Sequence, residues 1–380
     1  MRGDKTMNKY TKIGLSALCG SLASISVANA GTLEVLGTAE ATWTNLSGGE
    51  TGNPIGMNTG LTFKGSGELD GGQTFSVSLV DTDKAAWSSS NITLNTNSVG
   101  TFILSSAEGG QGIGGYDDNM PRAWEEVWDT GIATNANFQN GVGSSTNISW
   151  TSPKVAGTTL QLAYAPDNDG VQNANKAVSG DASHTFGRGF DVVLDINPQF
   201  DAGGFNLFVG GSVTDQSDQI KSNEGLKDLG GDHEEGVAGL EITIGPLQLG
   251  GQASVERIRT QTANANNYYG NSSWGVAFNV NDNLSISYSE ARHVASKTKK
   301  QGYVSQSIQG ADTVAPRIGA NANEYTPKSW MKGDSIQVAY TIGGIGLKYS
   351  ETQYDNTGYG GFDTAKAPKE SRIFAVSLAF

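Results

Sequence analysis

The feature that most constrains the fold is a set of segments in which apolar residues recur at every second position. In the first of these segments, Leu33, Val35 and Trp43 share one face. Glu34 and Glu40 lie on the other face. A period of two is the repeat of a β-strand with one apolar and one polar side. A soluble β-sandwich has the same repeat, so this pattern alone predicts half-buried strands and no particular architecture.

The connections between these segments are more specific, because short and long ones alternate strictly along the chain. Seven are short and rich in turn-forming residues, at 67–72, 95–98, 152–157, 197–204, 245–246, 281–283 and 343–344. Eight are long and polar, at 45–55, 81–89, 105–143, 165–187, 214–235, 257–273, 290–333 and 351–370. Outer-membrane barrels combine short periplasmic turns with long outer loops, whereas nothing in a sandwich requires this asymmetry. The sequence therefore predicts an all-β fold, a closed antiparallel transmembrane β-barrel of 16 strands.

The two ends of the chain predict its destination. In residues 1–30, a basic start is followed by an apolar stretch and then by Ala28-Asn29-Ala30, which is typical of a cleaved signal peptide. Residues 31–380 are then expected to form a single barrel domain without cysteine, because Cys19 is the only one in the chain. The final alternating segment ends in Phe380, which resembles the signature recognised by the outer-membrane assembly machinery. The predicted location is the bacterial outer membrane, with membrane lipid and this machinery as partners.

The charge of the chain limits its partners. The formal net charge is −13, and residues 1–30 hold four bases and one acid, so the remainder carries about −16. Nucleic acid is therefore not an expected partner, because binding phosphate requires a basic face. The acidity suits either a pore that attracts cations or an acidic solvated surface, and composition does not separate the two.

Several short segments resemble the general porin family of Gram-negative bacteria. Residues 60–65 (GLTFKG) with 69–72 (LDGG), 99–104 (VGTFIL), 147–153 (NISWTSP), 337–340 (QVAY) and the final Phe380 look like strands and turns of that family. The resemblance implies a homotrimer of 16-stranded barrels, each with its own water-filled pore. It also implies that the third outer loop folds into the lumen. Family members often place basic residues on the wall opposite this loop, but residues 90–95 (SNITLN) contain none.

The third long connection, 105–143, differs from the others in its acidity. Its charged candidates for the pore constriction are Asp117, Asp118, Arg122, Glu125, Glu126 and Asp129. Residues 121–128 are predicted to form one or two helical turns, with proline in the first turn and acids beside it. Acids at a constriction favour passing cations over anions. An acidic solvated surface loop remains an alternative, and so does a calcium ion held between the carboxylates. Apart from that calcium, no metal and no cofactor is expected.

The alternation also predicts which charged residues line the pore wall. On lumen-facing positions the candidates are Glu34, Glu40, Lys64, Asp191, Asp195, Glu241, Glu256 and Lys348. The excess of acids predicts passive diffusion of small hydrophilic solutes and ions, with a preference for cations. A substrate-selective channel on the same barrel and a secreted all-β surface protein without a pore remain alternatives.

The spacing of the three histidines does not indicate a catalytic or metal site. His184, His233 and His293 are interpreted as surface residues in or beside outer loops, without metal-ligand spacing. Residues 232–235 (DHEE) form the one run whose composition would suit a metal. No Ser/His/Asp arrangement has the context of a nucleophile elbow, so the sequence predicts no enzyme.

Overall fold

The computed structural model of the protein describes residues 31–47, 53–82, 85–143, 145–168, 186–200, 203–216, 232–258, 266–297, 329–359 and 367–379. The predicted signal peptide at 1–30, His184 and Phe380 lie outside the described residues.

Sixteen antiparallel strands account for almost all of the regular structure in these ranges. They are β1 (Thr32–Leu46), β2 (Ile55–Glu68), β3 (Thr74–Thr82), β4 (Ala85–Thr96), β5 (Gly100–Ser106), β6 (Asn147–Thr151), β7 (Thr158–Ala165), β8 (Phe186–Ile196), β9 (Gly203–Gln216), β10 (His233–Ile244), β11 (Leu247–Arg257), β12 (Asn266–Asn279), β13 (Leu284–Lys297), β14 (Ser329–Ile342), β15 (Ile345–Asp355) and β16 (Lys369–Ala379). The two-residue strand Gln199–Phe200 pairs with the same edge of β9 as β8 does, and it therefore continues β8.

The strands close into a barrel. Each strand pairs with its neighbours in sequence, and β1 pairs with both β2 and β16. Closure leaves no free sheet edge, so every strand finds ladder partners on both sides. The predicted closed antiparallel barrel of 16 strands is confirmed. Among the described residues, no helix is long and apolar enough to cross a membrane.

The two faces of the barrel wall have opposite character. The outward face exposes large apolar side chains, such as Leu33 and Trp43, each 55% exposed. The ladder places Glu34 opposite Lys64 on the other face. A barrel surrounded by lipid and filled with water requires this distribution, since lipid-facing and lumen-facing residues alternate along every strand.

The seven predicted short turns all join consecutive strands, but the bounds of several long connections were predicted wrongly. Residues 81–89 were expected to form an outer loop, whereas β3 extends to Thr82 and β4 begins at Ala85. Ser89 pairs with Val80 in the ladder. Strand β12 likewise begins at Asn266 and β13 extends to Lys297, within segments predicted to be loops. The reason is the same in each case: a strand that faces a polar lumen carries polar residues and resembles a loop in composition.

The connection between β5 and β6, residues 107–146, is called the third connection below. Its only helix among the described residues is a 3-10 helix, Gly112–Tyr116. The main apolar core lies between this connection and the wall. There Met120, Val127 and Ile132 pack with residues of β13, β14 and β15, including Met331 and Tyr354. The core therefore lies on the lumen side of the wall, where it holds the third connection in place.

Candidate functional site

One buried carboxylate holds both limbs of the third connection. Asp191, on β8, is fully buried, and its Oδ2 accepts hydrogen bonds from the backbone N–H groups of Ile113 and Val142, both at 3.1 Å. The outgoing limb is the part of the third connection that leaves β5 and contains Ile113. The returning limb is the part that leads to β6 and contains Val142. Gly112 and Gly141 have positive φ, and a Cβ at either position would lie 2.1 Å from Asp191 Oδ2. Glycine at these two positions therefore allows both limbs to approach the carboxylate.

The middle of the third connection is bound to the opposite side of the barrel. The backbone N–H groups of Trp124 and Glu125 donate to Gln337 Oε1 on β14, at 2.9 and 3.1 Å. Ala123 N–H donates to Ser287 Oγ on β13, at 2.9 Å. These strands lie about halfway around the barrel from β5 and β6, so the third connection lies across the lumen.

Residues 121–128 do not form the predicted helical turns; they form bends and a turn. Backbone N–H groups need partners when they are removed from water. Here the donors at 123–125 find side-chain acceptors on the wall, and they are not available for bonds along a helix.

A further anchor lies at Tyr116. Its hydroxyl donates to Asp195 Oδ2 at 3.1 Å and accepts a hydrogen bond from Gln161 Nε2 at 3.0 Å. Its ring packs against Phe208, with 4.8 Å between the ring centroids. Asp195 therefore binds the third connection, as Asp191 does.

The predicted constriction acids form a compact group. One carboxylate oxygen each from Glu125, Glu126 and Asp129 lies within 4.8 Å of the other two. Arg122 forms ion pairs with Asp118, at 2.8 Å, and with Glu126. The single base of the segment is thus shared between two acids. Glu125 and Asp129 have no ion pair with it.

The protonation of three of these acids depends on burial. Burial, with repulsion from Glu126, Asp129 and Glu40, raises the pKa of Glu125 to about 8. Burial also raises the pKa of Glu126 to about 7, although Arg122 acts in the opposite direction. Burial and the neighbouring Asp118 raise the pKa of Asp117 to about 6. The negative charge of the group therefore increases with pH across the neutral range.

The cross-strand register places all eight predicted wall residues on the lumen side of the ladder: Glu34, Glu40, Lys64, Asp191, Asp195, Glu241, Glu256 and Lys348. They are not equivalent in their surroundings. Lys348 forms an ion pair with Glu40 at 2.6 Å, and its ammonium lies 5.5 Å from the centre of the Trp124 ring. Asp191, Asp195 and Glu256 contact the third connection, since Glu256 accepts a hydrogen bond from Asn137 Nδ2.

Strands β3 to β7 form a part of the barrel wall with almost no charged residues. Strands β3 to β7 contain no lysine or arginine and a single acid, Asp81. Near the short turns, a cavity of about 550 Å³ is lined by residues of β1 to β4, including Glu34, Lys64 and Asn95. The acidic group of the third connection therefore has no basic counterpart in these described strands.

Several residues that hold the third connection were missed in the sequence. Glu235 accepts hydrogen bonds from the N–H groups of Asn140 and Gly141, both at 2.8 Å. Glu108, within the third connection, accepts a hydrogen bond from Asn91 of β4. Glu235 lies within the predicted long connection 214–235, and its parity with Glu241 on the same strand is the sequence signal that indicates the lumen face.

The interpretation of His293 as a surface residue is wrong. It is fully buried on β13, with Nδ1 at 2.8 Å from Asn271 Oδ1 and Nε2 at 2.7 Å from the Tyr354 hydroxyl. The aromatic rings of Trp128 and Phe138, from the third connection, meet it edge to face. The prediction fails because β13 extends to Lys297, into the polar segment 290–333 that was predicted to be a loop.

Comparison with known proteins agrees with this architecture. A sequence profile of the Gram-negative porins matches residues 14–307. No significant match was found among curated protein sequences. Among solved structures, the chain is similar to OmpF of Salmonella typhi in complex with daunomycin, with TM-score 0.57, 13% identity, and 94% of this chain and 100% of that chain covered.

Two further structures have the same fold. One is an anion-selective porin from Comamonas acidovorans, with TM-score 0.55, 12% identity, and 92% of this chain and 100% of that chain covered. The other is OmpT, an outer membrane protein of Vibrio cholerae, in a trimer form, with TM-score 0.57, 11% identity, and the same coverage. The profile spans most of the chain, and the closed barrel agrees with it. The chain therefore belongs to the family of Gram-negative porins and is a channel protein of the outer membrane.

Proposed function

We propose that this porin passes small hydrophilic solutes and ions by diffusion and prefers cations, and that the acids of the third connection set this preference. The observation that carries the proposal is the grouping of Glu125, Glu126 and Asp129 within 4.8 Å of one another, on a segment bound across the lumen. No catalytic activity is part of the proposal.

The physical argument is electrostatic. Two unit charges 4 Å apart interact by about 1 kcal/mol in water and more strongly near a protein surface. A cation that passes a group of carboxylates is stabilised by several such interactions, and an anion is destabilised by the same amount. Because strands β3 to β7 hold no lysine or arginine, no basic residue of theirs offsets this field.

The test is the reversal potential across a planar bilayer under a salt gradient. At about pH 9, where Glu125 and Glu126 are ionised, the wild-type channel is expected to favour cations. The double variant Glu125→Gln/Glu126→Gln is expected to lower the cation-to-anion permeability ratio at least about 5-fold, since it removes about 1 kcal/mol or more of attraction.

A matched control removes the same charge from the outside of the barrel. Glu351 and Glu370 are exposed and outward-facing, and Glu351 pairs with Arg372 at 2.8 Å. The double variant Glu351→Gln/Glu370→Gln is expected to leave the permeability ratio unchanged. An anion preference in the wild type, or an equal effect of both double variants, would contradict the proposal.

Assembly as a homotrimer belongs to the same proposal. OmpT of Vibrio cholerae, the outer membrane protein with the same fold, is described in a trimer form. The outward face of β2 exposes Ile55 and Met57, at 59% and 68%, and in a trimer a neighbouring barrel would cover such residues in place of lipid. Light scattering of the detergent-solubilised protein is expected to give three chains per particle, and a monodisperse monomer would contradict this.

A further inference from the structure

A second group of ionisable side chains lies apart from the constriction acids, between the wall and the returning limb of the third connection. His233 Nε2 is 3.0 Å from Glu256 Oε1 and 4.0 Å from Glu235 Oε1. One ligand atom from each of the three residues lies within 4.8 Å of the other two. Glu235 and Glu256 are 8% and 7% exposed.

The strands place these three side chains together. His233 and Glu235 are two residues apart on β10 and share its lumen face. Glu256 is the cross-strand partner of Glu235 in the β10–β11 ladder. Glu234, between the first two, points outward and pairs with Arg257 at 3.3 Å. The group is therefore held on rigid elements, which suits a binding site.

The charges of the group are not balanced by the protein. When both buried carboxylates are ionised, even a protonated His233 leaves the group with a net negative charge. Among the described residues, His233 is the only ion-pair partner of either carboxylate. A buried charge is costly unless an opposite charge compensates it. A divalent cation would neutralise both carboxylates.

The surrounding contacts orient the ligand atoms. Glu235 accepts hydrogen bonds from the N–H groups of Asn140 and Gly141, and Glu256 accepts one from Asn137 Nδ2. A carboxylate oxygen that accepts one hydrogen bond still has a lone pair for a metal. Hydrogen bonds of this kind fix metal ligands in position in known sites. All three donors belong to the returning limb, so an ion bound here would also bind that limb to the wall.

We propose that His233, Glu235 and Glu256 bind one divalent transition-metal ion, for which Zn²⁺ is the probe. One imidazole nitrogen and two carboxylate oxygens form a ligand set that zinc accepts, with water in a fourth position. Calcium instead takes six to eight oxygen ligands. The bound ion fastens the returning limb and cancels the charge of both carboxylates. This site does not depend on the proposed cation preference.

The test is calorimetric titration of Zn²⁺ into the chelator-treated, detergent-folded protein. The expected result is one Zn²⁺ per chain, bound at least about 10-fold more tightly than Ca²⁺. His233→Ala and Glu256→Gln are each expected to weaken Zn²⁺ binding at least about 10-fold. Glu234→Gln, on the opposite face of β10, is the matched control and is expected to bind as the wild type does.

Two outcomes would overturn the proposal: the wild type takes up no Zn²⁺, or binding persists in His233→Ala and is lost in Glu125→Gln/Glu126→Gln. A second measurement uses only the wild-type protein, so it tests the site even if the variants do not fold. Modification of histidine by diethyl pyrocarbonate, read by mass spectrometry, is expected to be slowed by Zn²⁺ at His233. Equal modification of His233 with and without Zn²⁺ would also overturn the proposal.

Discussion

The hydrogen bonds of Asp191 predict how firmly the third connection is held. The Asp191→Ala variant removes one buried carboxylate oxygen that accepts from Ile113 N–H and Val142 N–H, both at 3.1 Å. A hydrogen bond to a charged group contributes about 1.5–3 kcal/mol, so the two together contribute about 3–6 kcal/mol to holding the limbs. Because about 1.4 kcal/mol is a factor of ten in population, local opening should increase at least about 100-fold.

The Asp191→Asn variant is expected to loosen the third connection less than Asp191→Ala does. Both N–H groups bond to the same oxygen, so an amide oxygen in that place keeps both bonds and loses only their charge assistance. Neutral hydrogen bonds are roughly half as strong as charge-assisted ones, so we expect about half of the loss in free energy. The effect is confined to this end of the third connection, since the contacts with Gln337 and Ser287 remain.

Amide hydrogen exchange at Ile113 and Val142 measures the opening directly, and single-channel recordings should show brief excursions to higher conductance in Asp191→Ala. The matched control is Asp215→Asn, which breaks an exposed ion pair with Arg188, at 2.9 Å, on the outer face. Exposed pairs contribute about 0–1 kcal/mol, so exchange at the two amides should not change. Unchanged exchange in Asp191→Ala would refute the reasoning.

Two further predictions concern ion selectivity. Because burial raises the pKa of Glu125 to about 8 and that of Glu126 to about 7, both are mostly neutral at low pH and become charged as pH rises through these values. Cation preference should therefore increase between about pH 5 and about pH 9 in reversal-potential measurements; a flat profile would contradict the charge assignment. Replacing Lys348 by methionine releases Glu40 from its ion pair, at 2.6 Å, and should increase cation preference. The control Lys332→Met changes an outward-facing base and should have no effect, and a fall in preference for Lys348→Met would contradict the prediction.

The polar face of the strands explains where the sequence-based boundaries were wrong. Asn271 and His293 lie in segments predicted to be loops, yet both are buried in strands beneath the third connection. In a soluble protein, the polar residues at alternating positions of a strand face water. A rise in the density of polar residues along the sequence then marks the end of the strand. In this barrel they also face a segment folded into the lumen, so polarity does not distinguish the end of a strand from a strand that supports such a segment.

The architecture follows from the sequence alone because it depends on local information. Period-two alternation, as at Leu33 and Val35, marks each strand. Turn formers such as Gly245 and Gly343, both with positive φ in the structure, join strands that are consecutive in the sequence. Since consecutive strands pair, strand number and closure follow from the order of these local signals.

Only the tertiary structure decided how the third connection is held. Asp191 accepts hydrogen bonds from residues 78 and 49 positions away in sequence, at Ile113 and Val142. Neither residue carries a side-chain signal for this contact, because each donates only its backbone N–H group. The same holds for Gln337, which accepts from backbone N–H groups of the third connection. Alternation predicts which face a residue occupies; which residues then meet across the lumen depends on closure of the whole barrel.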